Sequence, residues 1–240
     1  MREAMDIINP KDLKHEVENQ LTYFILEQLK KDSDGIIPLS KDTHEMTMGQ
    51  RLIDDIEKMF GEEEVTEILN EMKQILGRDP DSWLSRDFFK KHVSQYKKRP
   101  IVWHLKSPGG YFEVFMYYHK LNNQTLHILK NVYLSKTIDY NRRRISELTD
   151  ELANKKEKGH IYTEIEEREE TIDDLKKFES SIDEILKQGF DPVIDDGVLA
   201  NISPFQKAEL LAVKNVLNKN QLKKGLQLLE EYIAQRKSNQ

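Results

Sequence analysis

The sequence contains no cysteine among its 240 residues, and it has only 10 glycines, 7 prolines and 2 tryptophans. The lack of cysteine excludes disulfide bridges and thiolate metal sites. No run approaches the roughly 20 apolar residues that a membrane-spanning helix needs. The first residues, MREAMDIINPKDLKHE, lack the apolar stretch of a secretory signal. These absences favour a cytoplasmic protein without membrane contact.

Motifs that carry catalysis are also missing. The chain has no G-x-x-x-x-G-K-[ST] or G-x-G-x-x-G phosphate loop, no G-x-S-x-G elbow and no H-E-x-x-H pair. The segment DPVIDDGV (191–198) lacks the alternating oxygen ligands and the closing glutamate of a calcium loop. His92, His104 and His119 could in principle converge on a metal, but partly buried or surface histidines are favoured. We predict no catalytic residue and no metal site in this chain.

What the sequence does contain is charge at helical spacing. Charged residues make up 33% of the chain and hydrophobic ones 38%, which is typical of helices with solvated faces. Apolar residues recur every three or four positions, which predicts an amphipathic helix in each of four segments. These segments are residues 11–31, 46–60, 62–76 and 84–96. The last would turn Phe88, Phe89, Val93 and Tyr96 inward, and Ile36 and Ile37 are predicted to form a short extended piece.

The segment RPIVWHLKSPGGYFEVFMYYHKL (99–121) has the period of β structure. Apolar residues alternate along two short runs, Ile101 to Leu105 and Phe112 to Tyr118. SPGG (107–110) between them has turn chemistry, because proline fixes φ and glycine accepts positive φ. We predict a two-stranded hairpin whose aromatic rings are mostly core, with stacking on nucleic-acid bases as the alternative.

The C-terminal half returns to a helical period. A helix over about 124–155 carries Ile138, Ile145 and Leu152 seven residues apart, which is coiled-coil spacing. After the polar turn NKKEKGH, a return helix would complete an antiparallel coiled-coil arm that projects from the body. Ser203 and Pro204 are interpreted as the cap and first residue of a helix ending near 217, which pairs with a last helix over 221–236.

These patterns predict a mainly α fold with a small β hairpin, of the α+β class. The helical body would comprise residues 1–123 and include the hairpin, and the coiled-coil arm would comprise 124–188. A connector and a terminal helix pair would comprise 189–240.

One basic segment stands out in a chain whose formal net charge is −6. From Arg86 to Lys106, seven cationic residues stand against the single acidic residue Asp87, a local net charge of +6. Such a stripe on an acidic protein favours contact with DNA phosphates, and a solvated helix face is the alternative. The candidate phosphate ligands are Lys90, Lys91, Lys97, Lys98, Arg99 and Lys106.

The same region carries a family resemblance. FFKKHVSQYKKRPIVWHLKSPGGYFEVFMYYHKLNNQTLHILKNVYL, followed by a charged helical pair and DDGV, resembles the C-terminal part of PglX-like methyltransferases. These are large adenine-specific DNA methyltransferases of BREX and phage-growth-limitation defence systems, related to type IIG-like restriction-modification enzymes. DGIIPL and RLIDDIEKMFGEE upstream are also similar, so the resemblance covers roughly residues 34–200. The matching residues are Tyr96, Lys97, Lys98, Arg99, Pro100, Trp103, Ser107, Gly110, Phe112, Tyr118, His119, Asp195, Asp196, Gly197 and Val198.

The resemblance implies a part of the enzyme that does not catalyse methyl transfer. The family's glycine-rich S-adenosylmethionine loop and its N-P-P-Y motif are absent here, so that cofactor is expected only in a separate catalytic domain. The implied role is target recognition, in which the module holds double-stranded DNA against that domain. The alternative is an interaction module whose arm docks the methyltransferase domain or other defence-system proteins.

Overall fold

The computed structural model describes residues 9–41, 43, 45–154 and 159–238. The helices are α1 (Pro10–Lys31), α2 (Met48–Phe60), α3 (Glu62–Leu76), α4 (Pro80–Trp83), α5 (Phe89–Gln95), α6 (Thr125–Ile128), α7 (Ser135–Asn154), α8 (Gly159–Lys187), α9 (Val198–Lys207) and α10 (Lys219–Ser238). The strands are β1 (Ile36–Pro38), β2 (Val102–Lys106) and β3 (Glu113–Tyr117). The predicted mainly α fold with a small antiparallel β element is confirmed.

The predicted hairpin has a third strand. The sheet order is β1-β3-β2, and both neighbours run antiparallel to β3. Phe115 at the centre of β3 faces Ile37 on one side and His104 on the other. The turn between β2 and β3 closes where the Gly110 amide donates to the Ser107 carbonyl at 3.0 Å, with Gly110 at a φ of 84°. The aromatic strand β3 is therefore the buried middle of the sheet.

The outer edge of β2 is covered by the loop after α9. Leu211 forms an isolated antiparallel bridge with Leu105. The Lys106 amide donates to the Leu210 carbonyl at 2.8 Å, and the Ala212 amide donates to the His104 carbonyl at 2.9 Å. These two bonds satisfy backbone groups that would otherwise face solvent at the edge of the sheet.

The helices before the sheet begin and end close to the predicted positions. A capping box starts α2, because Thr47 Oγ1 accepts from the Gln50 amide at 3.1 Å and Gln50 Oε1 accepts from the Thr47 amide at 2.8 Å. The helix predicted over 84–96 starts earlier, at Pro80, and a π-helical segment, Leu84–Phe88, joins α4 to α5. A second π-helical segment, Leu129–Leu134, joins α6 to α7.

The two long helices α7 and α8 lie antiparallel. Two polar contacts give the pairing: Arg168 Nη1 to Asn141 Oδ1 at 3.0 Å and Arg144 Nε to Glu164 Oε1 at 3.2 Å. In the π-helical segment before α7, Lys130 Nζ continues it with a contact to Asp183 Oδ1 at 2.6 Å. Residues 155–158 of the predicted NKKEKGH turn lie outside the described residues. The coiled-coil packing of this pair stays a prediction.

The hairpin turn is attached to α8. The Asp174 carboxylate accepts hydrogen bonds from the backbone amides of Gly109 and Tyr111, the second at 3.3 Å. The Tyr111 hydroxyl donates to Glu170 Oε2 at 2.6 Å. The α7–α8 pair is thus anchored to the body at the tip of the hairpin as well as through its own base.

The start of the terminal helix pair was predicted wrongly. Pro204 lies inside α9 rather than at its first position, and the Ser203 hydroxyl donates to the Leu199 carbonyl at 2.6 Å instead of capping a helix. Residues 208–218 form turns, not a helix. α9 packs on α10 at Gly225, where a Cβ would lie 2.6 Å from the Leu199 carbonyl oxygen, so the close approach needs glycine.

One hydrophobic cluster joins residues from all parts of the described chain, from Leu21 in α1 to Leu229 in α10. The base of α8 contributes to it through Phe178, which packs on Phe112 with ring centroids 6.0 Å apart. The predicted division into three units stays a prediction. Within the described segments, no helix combines the length and apolarity that crossing a membrane requires.

Candidate nucleic-acid interface

The centre of the predicted interface is a four-residue basic turn, Tyr96, Lys97, Lys98 and Arg99, between α5 and β2. All four residues are exposed. The Lys98 amide donates to the Val93 carbonyl at 2.8 Å, and the Arg99 amide donates to the Tyr96 carbonyl at 2.9 Å. The first bond is the long-range closure of a Schellman motif, which ends a helix and turns the chain away from it. The turn is therefore an ordered structure and not a loose tail of the helix.

The two lysines of the basic turn have left-handed backbone conformations. The φ angle is 49° at Lys97 and 66° at Lys98. A helix end of this type usually has glycine in that position, because an L side chain crowds the following carbonyl. Both lysines therefore have a backbone conformation that is unfavourable for a residue with a side chain. Such strained positions often occur at functional sites.

His92, on the buried side of α5, links the two ends of the basic turn. Its Nε2 accepts hydrogen bonds from the amides of Ile101 at 3.2 Å and Val102 at 3.0 Å, so α5 is tied to the start of β2 across the turn. Nε2 must be unprotonated to accept both bonds. Burial agrees with this, because it lowers the pKa of His92 to about 4. The imidazole is neutral near pH 7.

Tyr96 stands at the end of a ladder of three rings one helical turn apart. Phe88 is fully buried, His92 stacks on it with centroids 5.2 Å apart, and Tyr96 lies 4.4 Å from His92. The prediction that Tyr96 points inward is wrong, because the side chain follows the end of α5 and remains 37% exposed. The ladder runs from the core to the surface and ends at the basic turn.

The six predicted phosphate ligands fall into two groups. Lys90, Lys97, Lys98 and Arg99 are exposed. Lys91 is half-buried instead, with its Nζ 2.9 Å from Glu18 Oε2 and 3.2 Å from Asn19 Oδ1. Lys106 Nζ lies 2.8 Å from Glu113 Oε1. Of the six, Lys90 on α5 and the three cations of the basic turn are exposed, whereas Lys91 and Lys106 are each paired with a carboxylate.

Glu113 is held by two partners at the start of β3. Burial raises the pKa of Glu113, but hydrogen bonds from His104 and Lys106 outweigh it, so the pKa lies below its usual value. His104 is fully buried, and burial lowers the pKa of its imidazole. Its Nε2 lies 2.8 Å from Glu113 Oε2, and since a carboxylate only accepts, this nitrogen carries the proton. The histidine and glutamate are a structural pair beside the sheet.

The resemblance residues of the hairpin form core and turn. Trp103 and Phe112 are fully buried, and the Trp103 indole donates to the Pro100 carbonyl at 3.0 Å. Ser107 is buried in the turn, where its hydroxyl accepts from the Phe112 amide at 3.0 Å. These positions, with the positive φ of Gly110, explain the motif as the framework of a hairpin. They do not themselves face a ligand.

The second part of the motif lies against the end of the hairpin. The Tyr118 hydroxyl donates to the Ile194 carbonyl at 2.6 Å, across 76 positions of sequence. Ile194 begins a short 3₁₀ helix that contains exposed Asp195, and Gly197, with a φ of 86°, follows it and precedes α9. The side chain of Asp196 lies outside the description. The distant halves of the motif are therefore neighbours in the fold.

The three histidines considered as metal ligands have separate surroundings. His92 contacts backbone amides, His104 contacts Glu113, and exposed His119 packs beside Tyr117 with ring centroids 5.3 Å apart. No group of three or more His, Asp or Glu side chains is placed to hold a metal ion in the part of the chain that the structure describes.

No sequence pattern indicated the cations that lie near Lys106. A cleft of about 850 Å³ separates the hairpin turn from residues 208–215, and exposed Lys207 and Lys214 line it together with Lys106. They follow Lys106 by about one hundred positions, so no local spacing links them. Pairing of Leu211 with β2 brings them there.

Two known proteins are similar to this chain. It is 30% identical over 154 residues to the adenine-specific methyltransferase PglX of Lacticaseibacillus casei (strain Zhang), an alignment that covers 59% of this chain and 13% of that protein. It is 30% identical over 203 residues to the adenine-specific methyltransferase BrxX of Escherichia coli O9:H4 (strain HS), covering 75% of this chain and 16% of that protein. No protein-family model matches the chain.

These similarities confirm the resemblance inferred from the sequence. The chain is related to the PglX-like adenine-specific methyltransferases. It spans only 13% and 16% of the length of the two relatives.

Proposed function

We propose that this chain is a DNA-engaging module of an N6-adenine DNA methyltransferase in a phage-defence system of the BREX or restriction-modification type. The relationship to PglX and BrxX supports the enzyme class. The basic turn supports DNA contact, because it presents Lys97, Lys98 and Arg99 together on an ordered backbone. Because the backbone of the turn is already ordered, phosphate contact requires ordering of the side chains only.

The methyl-transfer chemistry belongs elsewhere in this proposal. The aromatic and histidine side chains around the hairpin are occupied by packing and by structural hydrogen bonds, as His104 and Trp103 show. S-adenosylmethionine is accordingly assigned to a catalytic domain outside these residues. The module would contribute affinity and orientation for double-stranded DNA.

A salt-dependent binding experiment tests the DNA role. The full chain is titrated against a labelled duplex by fluorescence anisotropy at several salt concentrations. We expect weak binding that decreases with salt, since each phosphate contact releases bound counterions and makes the slope of log K against log salt more negative by about 0.9. Replacing Lys97, Lys98 and Arg99 with alanine should weaken binding and flatten that slope.

A matched variant controls for net charge. Lys219, Lys223 and Lys224 are exposed on α10, and their replacement with alanine also removes three positive charges. Binding that falls equally in both variants would reduce the effect to overall charge. Unchanged binding in the basic-turn variant would contradict the phosphate role.

A second candidate function is docking through the α7–α8 pair, which would recruit the catalytic methyltransferase domain or another defence-system protein. The observation in its favour is the acidic surface of α8, where TEIEEREETIDD (163–174) presents mostly carboxylates. Glutamine at Glu166, Glu167 and Glu169 removes three exposed carboxylates from this surface. The anchors at Glu170 and Asp174 stay in place.

The triple glutamine variant separates the two functions. If the acidic surface of the arm docks a partner, co-purification with the catalytic domain should be lost while binding to DNA is kept. Co-purification that survives the three substitutions would contradict docking through this surface.

A further inference from the structure

Tyr96 and Tyr111 are the two exposed Phe, Tyr or Trp side chains of residues 84–121, and the Tyr111 hydroxyl donates to Glu170. Trp103 and Phe112 are 0% exposed, whereas Tyr96 is 37% exposed. Its hydroxyl has no hydrogen-bond partner among residues 9–41, 43, 45–154 and 159–238. Neither burial nor a hydrogen bond explains why an aromatic residue stands at this position.

The inner side of the Tyr96 ring rests on a fixed support. His92 lies 4.4 Å away and cannot rotate freely, because its Nε2 holds the amides of Ile101 and Val102. Phe88 in turn supports His92 from the core at 5.2 Å. The ring ladder therefore supports one side of Tyr96 from within the protein, while the residue is 37% exposed.

Cations follow this ring directly in the chain. Lys97, Lys98 and Arg99 are exposed, and the bond from the Arg99 amide to the Tyr96 carbonyl, 2.9 Å long, keeps the backbone of Arg99 close to that of Tyr96. An aromatic face combined with several cations is the arrangement that binds single-stranded nucleic acid, in which bases stack and phosphates pair with the cations. Bases inside a duplex have no free face for this.

We propose that Tyr96 is a stacking platform for an unpaired DNA base, with Lys97, Lys98 and Arg99 on the adjoining phosphates. The ligand class is a strand with at least one nucleotide outside the double helix. This proposal rests on the proposed DNA role and adds to it the feature of DNA that is bound. If Tyr96 does not stack on a base, its replacement should leave the affinities for paired and unpaired DNA unchanged.

Three probes of equal length test the platform. They are a perfect duplex, the same duplex with one extrahelical 2-aminopurine, and a single strand that contains 2-aminopurine. Anisotropy gives the affinity, and quenching of 2-aminopurine fluorescence reports stacking. The full chain is compared with Tyr96→Leu, which removes the aromatic face, and with Tyr96→Phe, which keeps it. Circular dichroism and a thermal melt establish that both variants fold.

The wild-type chain and Tyr96→Phe should bind the two unpaired probes alike and quench their fluorescence. Tyr96→Leu should lose about 5-fold or more in affinity for those probes, the low end of one stacked base, and should not quench. Its affinity for the perfect duplex should change less than about 2-fold. Binding of the unpaired probes by Tyr96→Leu as tight as that of the wild-type chain would overturn the proposal, as would a loss in Tyr96→Phe as large as that in Tyr96→Leu.

The two proposals fail in different ways. If Tyr96→Leu has no effect while alanine at Lys97, Lys98 and Arg99 weakens duplex binding, the platform is refuted and the DNA role stands. If the wild-type chain binds none of the three probes, both are refuted.

Discussion

Glycine at the two left-handed lysines of the basic turn should stabilise the protein and weaken its binding to DNA. Lys97 and Lys98 have φ angles of 49° and 66°. A left-handed conformation costs an L residue roughly 1–2 kcal/mol, and glycine avoids this cost. Glycine also gives the unfolded chain more freedom, which returns roughly 0.5–1 kcal/mol per site. We expect a net gain of about 0.5 kcal/mol at each site, or about 1 kcal/mol in the double variant.

Chemical denaturation and a thermal melt, both followed by circular dichroism, measure this gain in the free energy of unfolding. For a chain of this size, about 1 kcal/mol corresponds to a rise of roughly 2–4 °C in Tm. The matched control is Lys97→Ala with Lys98→Ala, which removes the same two charges but keeps Cβ at both positions. It should show no gain. A glycine variant no more stable than the alanine variant would refute the assignment of strain to this turn.

DNA affinity provides the second measurement on the same two variants. Both should bind a duplex more weakly than wild type and by similar amounts, because both lose two cations. The negative slope of log K against log salt should become shallower by about 1.8 if each lysine contacts one phosphate. A glycine variant that is more stable and binds DNA as tightly as wild type would refute the phosphate role while leaving the strain in place.

Three further predictions concern single polar side chains of the fold. Burial lowers the pKa of His92 from 6.5 to about 4. Its contribution to stability is therefore complete above pH 6.5 and is lost as the pH falls toward 4. The difference in urea midpoint between wild type and His92→Gln should shrink over that interval. Burial and neighbouring Asp32 raise the pKa of Asp34 from 3.8 to about 6, so ionisation of this carboxyl destabilises the fold as the pH rises through that interval. The urea midpoint of Asp34→Asn should therefore rise relative to that of wild type between pH 4 and 7. A constant difference between the two midpoints would contradict this. Tyr118→Phe removes the donor to the Ile194 carbonyl and should cost about 1–3 kcal/mol, with faster hydrogen exchange in residues 193–201 as the local sign; unchanged exchange there would count against the link.

Local patterns predicted the elements that local forces determine. The period of apolar residues located α1, α2 and α3, and alternation located β2 and β3. The extended piece at Ile36 and Ile37 was recognised, but its pairing with β3 joins residues about eighty positions apart. A three-residue strand has too little sequence to specify its partner, and burial against the helices decides it.

The errors came from residues with two physical roles. Proline is common at the first position of a helix, yet Pro204 lies in the last turns of α9. Leu210, Leu211 and Leu217 have helical spacing, but they are buried because their loop packs on β2. Tertiary contact therefore overrode the local period.

The candidate site was predictable in its residues and unpredictable in its geometry. The run YKKR is visible as charge, but left-handed lysines leave no mark without glycine or asparagine to indicate them. The pairing of Lys91 with Glu18 joins elements 73 positions apart, so charge counting overestimated the free cations.

The covered edge of β2 restricts how this protein can be recognised. Many proteins capture peptides by adding a strand to an open sheet edge, a mode called β-augmentation. Here Leu210, Leu211 and Ala212 already occupy the outer side of β2, and the opposite edge consists of three residues that end in Pro38, which has no amide to donate. A partner of this sheet must therefore bind through side chains and helices, and the same closure protects β2 and β3 from edge-to-edge aggregation.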